Sequence, residues 1–185
     1  MAIDVRPIHD DELRGWLDTL TIGFLDRPDV DKIAAEVRPH WDLNRAWGAF
    51  DGATVVGTTR TWATELTVPG NAQVKASAVA AVAVRPTHRR RGLLRAMLAA
   101  EHAAARERGE IASALYASEY PVYSRFGYGS AVQMAGWVVD LLATGVHDAA
   151  GGRTGSVDFL AIDDAAIDTI RDVFEAWRRG QPGEI

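Results

Sequence analysis

Five arginines fall between residues 85 and 95 of a 185-residue chain whose net charge is −5. Three are consecutive, Arg89-Arg90-Arg91, and Gly92 follows them. Before them runs an apolar stretch, Val74 to Val84; after them Leu94, Met97, Leu98 and Ala105 recur at helical spacing. A strand that runs into a basic turn and opens a helix makes an anion site. The first amides of a helix lack acceptors, and the aligned peptide dipoles place about half a positive charge there. Gly92 sets no Cβ against a phosphate, and guanidinium forks reach the remaining oxygens. The chemistry this suits is the holding of a diphosphate-sized group. A solvated basic loop is the alternative, and the flanking strand and helix argue against it. A second cluster is aromatic: Tyr120, Tyr123, Phe126 and Tyr128. Aromatics so close together pack more often than they react, so by themselves they read as core.

Composition excludes other chemistries. The chain has no cysteine, hence no disulfide, thiolate metal site or thiol nucleophile, and it fits a reducing cytoplasm. No metal is expected. Apolar residues make up 48% and charged residues 24%, the balance of a globular domain. No run approaches the ~20 apolar residues that cross a bilayer. The start, MAIDVRPIHDDELRGW, is acidic and polar, unlike a secretion signal. Outside the arginine turn the chain is acidic, so neither a nucleic acid nor a membrane is an expected partner.

The elements that position these groups follow from periodicity. Ile3 to Ile8 predicts a strand, followed by a helix with Asp10 as N-cap and Leu13, Trp16, Leu17 and Leu20 on one face. Val30 to Val37 predicts a short helix that ends before Pro39. Ala46 to Phe50 and Thr54 to Thr61 predict a hairpin turned at Asp51-Gly52, both positions needing φ > 0. Trp62 to Val68 extends the second strand to a turn at Pro69-Gly70-Asn71. Val74 to Val84 predicts a central strand covered on both faces. Leu93 to Arg108 predicts a helix stopped by Gly109. Ile111 to Ala117 predicts a strand, Tyr120 to Phe126 one or two helical turns, and Val132 to Leu142 a last strand. The order predicts an α/β domain over residues 1–143, a mixed central sheet with helices on both faces. Residues 144–155, rich in Gly, Ala and Thr, read as a linker. Ser156 to Ile162 predicts a strand, and Asp163 to Arg179 an amphipathic helix with Ile167, Ile170, Val173, Phe174 and Trp177 on one face. A lone strand and helix cannot close a core. Residues 156–185 therefore either pack on the first domain or begin a second, incomplete one.

Arg89-x-x-Gly92 resembles the (Q/R)-x-x-G-x-(G/A) diphosphate loop of GNAT acetyltransferases, with Leu94 where Gly or Ala is usual. The wider stretches VAVRPTHRRRGLLRAML and ALYASEYPVYSRFGYG resemble the N-terminal domain of the Eis (enhanced intracellular survival) acetyltransferases, which share that leucine. The resemblance is close from Val79 to Gly129. It reaches Phe24-Leu25-Asp26, Thr67-Val68-Pro69-Gly70 and FEAWRRGQPGE, which looks like a helix and turn early in that family's second, GNAT-like domain. It implies the GNAT (acyl-CoA N-acyltransferase) fold and acetyl transfer from acetyl-CoA to a primary amine. It also implies that the strand before the loop splays from its neighbour, so that amides of Val82, Ala83 and Val84 meet the pantetheine arm; both valines can be core residues as well. Arg89, Arg90, Arg91, Gly92, Leu93, Leu94 and Arg95 would hold the diphosphate, with Ser118 and Glu119 near the cofactor. Tyr123 takes the position of the family's catalytic tyrosine, which protonates the leaving thiolate or hydrogen-bonds to it. A phenol, with pKa near ~10, is a weaker acid than a thiol at ~8.5, so donation asks for local tuning.

Aminolysis also requires a deprotonated amine. Many GNAT members carry a glutamate on the strand before the loop, but residues 77–84 hold no acid. The Eis family is thought to use a C-terminal carboxylate from a third domain. A chain ending at Ile185 is then expected to be a fragment, or a short relative with another base. Asp26, Glu65 and His88 are candidates, and none is assigned. The acidic balance suits a cationic acceptor. The resemblance points to small-molecule amines such as aminoglycosides and polyamines, or lysine side chains, with Phe24, Asp26 and Trp41 lining the pocket, and to a homo-oligomer at full length. Two other functions compete: a CoA-binding module without turnover, and nucleic-acid binding through the arginines, for which a broader basic face and stacking aromatics are wanting.

Overall fold

The computed structural model describes residues 3–132, 136–140 and 159–185. One sheet runs in the order β1 (Asp4–Pro7), β2 (Ala46–Asp51), β3 (Thr54–Val68), β4 (Ala72–Val84), β5 (Ala112–Leu115). The first four strands are antiparallel neighbours, and β5 joins β4 in parallel. Between β1 and β2 lie α1 (Leu13–Phe24) and α2 (Val30–Val37). A parallel pair needs a crossover, and α3 (Leu93–Glu107) supplies it between β4 and β5. This is a mixed sheet with helices on both faces. On one face Leu13, Trp16 and Leu17 pack with Ile8, Phe50 and Val55; on the other Leu93 and Met97 pack with Ala49 and Val56. Val55 and Val56 face opposite ways because side chains alternate along a strand.

Several local expectations change. Asp10 is not the cap of α1. Residues Asp10–Glu12 form a 3₁₀ turn, and the Glu12 carboxylate accepts from the His9 backbone N–H at 2.8 Å. A fork from Arg6 to both Glu12 oxygens, at 2.8 and 2.5 Å, pulls that carboxyl down to about 2. The β2–β3 turn is Gly52-Ala53, because Asp51 pairs with Thr54. Only Gly52 has positive φ, 62°, so glycine is needed at the first turn position and not at both. Strand β5 is shorter than Ile111 to Ala117 because its pairing with β4 covers only Ala76 to Val79. No strand forms at Val132, at residues 136–140, or at Phe159 to Ile162. Trp137 and Val138 are almost fully exposed, and strand propensity without a partner surface does not make a strand. The remaining parts of those two expected strands, and the linker at 144–155, lie outside the described residues.

The last helix, α4 (Asp164–Arg178), is capped by the Asp163 carboxylate, which accepts from Ala166 N–H at 2.9 Å. Its C-terminal end meets β3 through polar groups. Thr67 donates its N–H to Glu184 O at 2.9 Å and accepts from Gly183 N–H at 2.8 Å, while Arg178 pairs with Glu65 at 3.1 Å. Ile167, Ile170, Val173, Phe174 and Trp177 stay between 45% and 66% exposed, so the apolar face of α4 is uncovered by the described residues. No helix among them is long and apolar enough to cross a membrane.

A chain of buried charge holds α3 to the sheet. Glu101 is fully buried and accepts from Trp47 Nε1 at 2.6 Å, Ser77 Oγ at 2.9 Å and Arg108 Nη2 at 2.5 Å. Arg108 also pairs with Glu110 at 3.0 Å, and Arg45 binds the other Glu110 oxygen. Sequence reading missed Glu101, though a signal was present. It lies four residues after Met97 and four before Ala105, inside the buried stripe of α3.

Candidate active site

Strands β4 and β5 separate ahead of the arginine turn, while β4 still runs on to Val84. Their last pairing rung is Val79 with Leu115, so among the described residues Ala80 to Val84 have no partner strand on the β5 side. On the other side, β3 pairs Arg60 with Ala80 and then Thr58 with Ala83. Two β4 residues, Ala81 and Val82, therefore oppose one β3 residue, Thr59. A bulge of this kind bends its strand. Ala81 takes the left-handed conformation with φ 54°, and Thr58 Oγ1 donates to its carbonyl at 2.8 Å. In the segment 82–84, Ala83 is buried and Val82 and Val84 are half-buried. Their side chains pack while the strand edge toward β5 stays open.

The far end of α1 seats on this splay. A Cβ built on Gly23 would lie 2.5 Å from Ala83 Cβ and 3.6 Å from its Cα. In an open helix Gly→Ala gains about 1 kcal/mol, whereas overpacking a close contact costs about 1–3 kcal/mol. The clash should win. Gly23→Ala is expected to lower chemical-denaturation stability by about 1–2 kcal/mol and to weaken any ligand held along β4. A gain in stability would show that α1 is free to move off the strand. Phe24 and Asp26, just beyond this contact, are exposed, and the Asp26 carboxylate accepts from Arg27 N–H at 2.8 Å. Trp41 stands elsewhere on the same face, edge-on to Trp16 at 5.6 Å with the Arg60 guanidinium 4.1 Å over its ring. No ring contact joins it to Phe24.

The basic turn has the geometry of an anion cradle. Arg90 and Gly92 both have left-handed φ, 61° and 80°, a backbone that gathers successive N–H groups on one side. No side chain caps α3, and the amides of Leu93, Leu94 and Arg95 meet no acceptor among the described residues. A Cβ on Gly92 would meet open space. Arg89, Arg90, Arg91 and Arg95 are exposed, Leu94 is half-buried and Leu93 is buried. Arg85 differs from these: its Nε donates to Thr19 Oγ1 at 3.0 Å, which ties the turn to α1. Uncapped amides, open space and exposed guanidinium groups, of which Arg89 Nε also donates to Val84 O at 3.4 Å, fit a diphosphate.

The aromatic segment after β5 joins the same helix. Arg95 lies 5.5 Å over the Phe126 ring. Tyr128 Oη is 2.7 Å from Ser113 Oγ on β5 and 2.9 Å from His102 Nε2 on α3. Tyr123 sits edge-on to Tyr128 at 5.9 Å, and its own hydroxyl has no hydrogen-bond partner among the described residues. Tyr120 is half exposed. Burial, then the nearby Glu119 charge, raises the Tyr123 pKa above the ordinary phenol value. The tuning thus opposes easy ionisation and keeps the hydroxyl protonated. Ser118 and Glu119 are exposed on the loop into this segment.

Two of the base candidates are committed elsewhere. His88 stands with Nδ1 2.8 Å from Thr87 Oγ1 and Nε2 3.2 Å from Asp51. Glu65 pairs with Arg178. A recess of about 580 Å3 is lined by Arg45, Glu65, Glu110, Phe174, Arg178 and others. It lies by α4, away from the arginine turn.

A family model described as an acetyltransferase (GNAT) domain matches residues 4–131. The chain is 40% identical over 189 residues to an uncharacterized N-acetyltransferase of Streptomyces avermitilis, covering 99% of this chain and 44% of that protein. It is 39% identical over 140 residues to the N-acetyltransferase Eis of Mycobacterium tuberculosis, across 75% of this chain and 35% of that one. The Eis1 structure from Mycobacterium abscessus superposes with a TM-score of 0.61 at 32% identity, over 69% of this chain and 31% of its own. The chain thus spans less than half the length of these relatives.

Proposed function

Because the chain belongs to the GNAT acetyltransferase family, we propose that it binds acetyl-CoA at the arginine turn and transfers the acetyl group to a primary amine. The observation that carries this is the splay of β4 from β5 leading directly into an uncapped helix start. Val82, Ala83 and Val84 offer the open strand edge to the pantetheine arm. The amides and side chains of Arg89 to Arg95 hold the diphosphate, and Ser118 and Glu119 border it. Acetyl-CoA supplies the acetyl group as a thioester; when an amine displaces the thiol, N–C forms, C–S breaks, nitrogen loses a proton and sulfur gains one. Tyr123 Oη carries the proton for that sulfur. Phe24, Asp26 and Trp41 lie toward the acceptor, for which aminoglycosides, polyamines and lysine side chains form the first test panel. The open face of α4 supports reading residues 156–185 as part of a second unit.

Acetyl-CoA at about a hundred times its Kd should stabilise the protein by about 2.7 kcal/mol, roughly 5–10 °C in melting temperature for a chain of this size. An unchanged melt removes the proposal. A second reading, a CoA-binding module without turnover, draws on the commitment of His88 and Glu65 to other partners. It requires the melt to shift while no amine is acetylated, and turnover on any amine eliminates it.

A further inference from the structure

The segment that carries Tyr123 has no backbone hold on the rest of the fold. Val122 N–H donates to Glu119 O, Tyr123 N–H to Tyr120 O, Phe126 N–H to Tyr123 O and Gly127 N–H to Ser124 O. Among the described residues, every backbone hydrogen bond of residues 119–128 stays inside the segment. Side chains must place such a segment. Arg95 over the Phe126 ring is one tie. The other is the Tyr128 hydroxyl, which bridges two elements: Ser113 Oγ on β5 at 2.7 Å and His102 Nε2 on α3 at 2.9 Å. One phenolic proton serves two partners, so the oxygen donates to one and accepts from the other. Burial lowers the His102 pKa, and Nε2 of a neutral imidazole takes either part according to its tautomer. Both partners stand on a fixed base. Ser113 pairs with Ser77 across the β4–β5 ladder, and Ser77 Oγ donates at 2.9 Å to the buried carboxylate of Glu101, the residue before His102.

The bridge fixes the ring of Tyr128, and Tyr123 meets that ring edge-on at 5.9 Å. The Tyr123 hydroxyl has no hydrogen-bond partner among the described residues. Ring packing, not a hydrogen bond, therefore directs it. We propose that His102 and Ser113, acting through Tyr128, are positioning residues that aim the Tyr123 hydroxyl at the thioester sulfur. The proton carried to sulfur rests on the acetyl-transfer reading above, whereas the placement of the Tyr123 ring by the bridge does not.

The test has one arm without cofactor and one with it. Labelling tyrosine rings with 13C gives signals from four residues, each assigned by its loss in the matching Tyr→Phe variant. In cofactor-free protein the Tyr123 signals should stand away from the free-tyrosine position, displaced by the neighbouring ring. In His102→Leu and in Tyr128→Phe, which both keep a ring at position 128, they are expected to move toward that position. In the second arm each substitution should lower kcat about tenfold, short of the ~10²-fold that a full 1 Å misplacement brings, with KM for acetyl-CoA unchanged. On a Tyr123→Phe background the same substitutions should lower kcat no further, because they act through the missing hydroxyl. Tyr123 signals that stay in place in either folded variant overturn the proposal. So does an undiminished loss of rate on the Tyr123→Phe background, which would mark a general loosening of the fold. Moved signals in a protein that acetylates no amine of the panel would strike the transfer reading and leave the placement of Tyr123 standing.

Discussion

Tyr123→Phe is expected to lower the rate constant of acetyl transfer by about 10²-fold or more, with the acetyl-CoA-induced rise in melting temperature intact. The substitution removes one oxygen and keeps the ring that meets Tyr128 edge-on. Among the three tyrosines of the segment, Tyr128 spends its hydroxyl on Ser113 and His102, and Tyr120 is half exposed. Tyr123 alone of the three is both half-buried and unbonded at oxygen. Its raised pKa sets the sign of the pH dependence. The phenol remains protonated up to and beyond its ordinary value near ~10, so a loss of rate from its ionisation belongs at the alkaline extreme. That limb should vanish in Tyr123→Phe. Tyr128→Phe should cost about 1 kcal/mol of stability through its lost hydrogen bonds. A Tyr123→Phe protein with the parent rate would take Tyr123 out of the chemistry.

The second large effect concerns stability. Glu101→Ala is expected to destabilise the fold by about 3–5 kcal/mol, the range for removing one partner of a buried ion pair. The carboxylate has no exposure and serves three donors on three elements: Trp47 of β2, Ser77 of β4 and Arg108 after α3. Deleting it strands two neutral donors and one charged donor, each worth about 1–3 kcal/mol when left without an acceptor. Arg108 softens the loss, because it keeps Glu110 and part of its side chain reaches solvent. Glu101→Gln should fall between the parent and Ala, since it retains volume and one acceptor oxygen. Denaturant titration reads all three. A loss under about 1 kcal/mol for Glu101→Ala would mean that water replaces the carboxylate and the site is not closed.

How far the site was legible differs from residue to residue. The anion character of Arg89 to Gly92 could be read from charge, glycine and the switch from strand to helical spacing, all local features. Left-handed φ at Arg90 could not, because nothing about arginine favours it. The ends of α2, α3 and α4 and the long β3–β4 hairpin also followed from local pattern. The hairpin turn shifted by one residue because register is set by pairing across strands and not by the turn dipeptide alone. The described parts of two further expected strands, Val132, 136–140 and Phe159 to Ile162, form none on the same principle, since apolar alternation needs a partner edge.

Sequence alone determined the order of elements from β1 to β5, the basic helix start, and, through the family motif, which tyrosine to single out. Its authority ends where two segments distant in the chain must meet. The splay depends on where β5 stops pairing with β4, and the Ala81 bulge depends on Thr58 across the sheet. The buried position of Glu101 depends on donors 54 and 24 residues away along the chain. Arg60 on Trp41 is another case: as a sequence it is one arginine of many, and only packing shows it over a ring and without a carboxylate among the described residues. Local pattern reports the free energy a segment can gain from its own neighbours. Desolvation and partner choice are decided by whatever the fold brings against it.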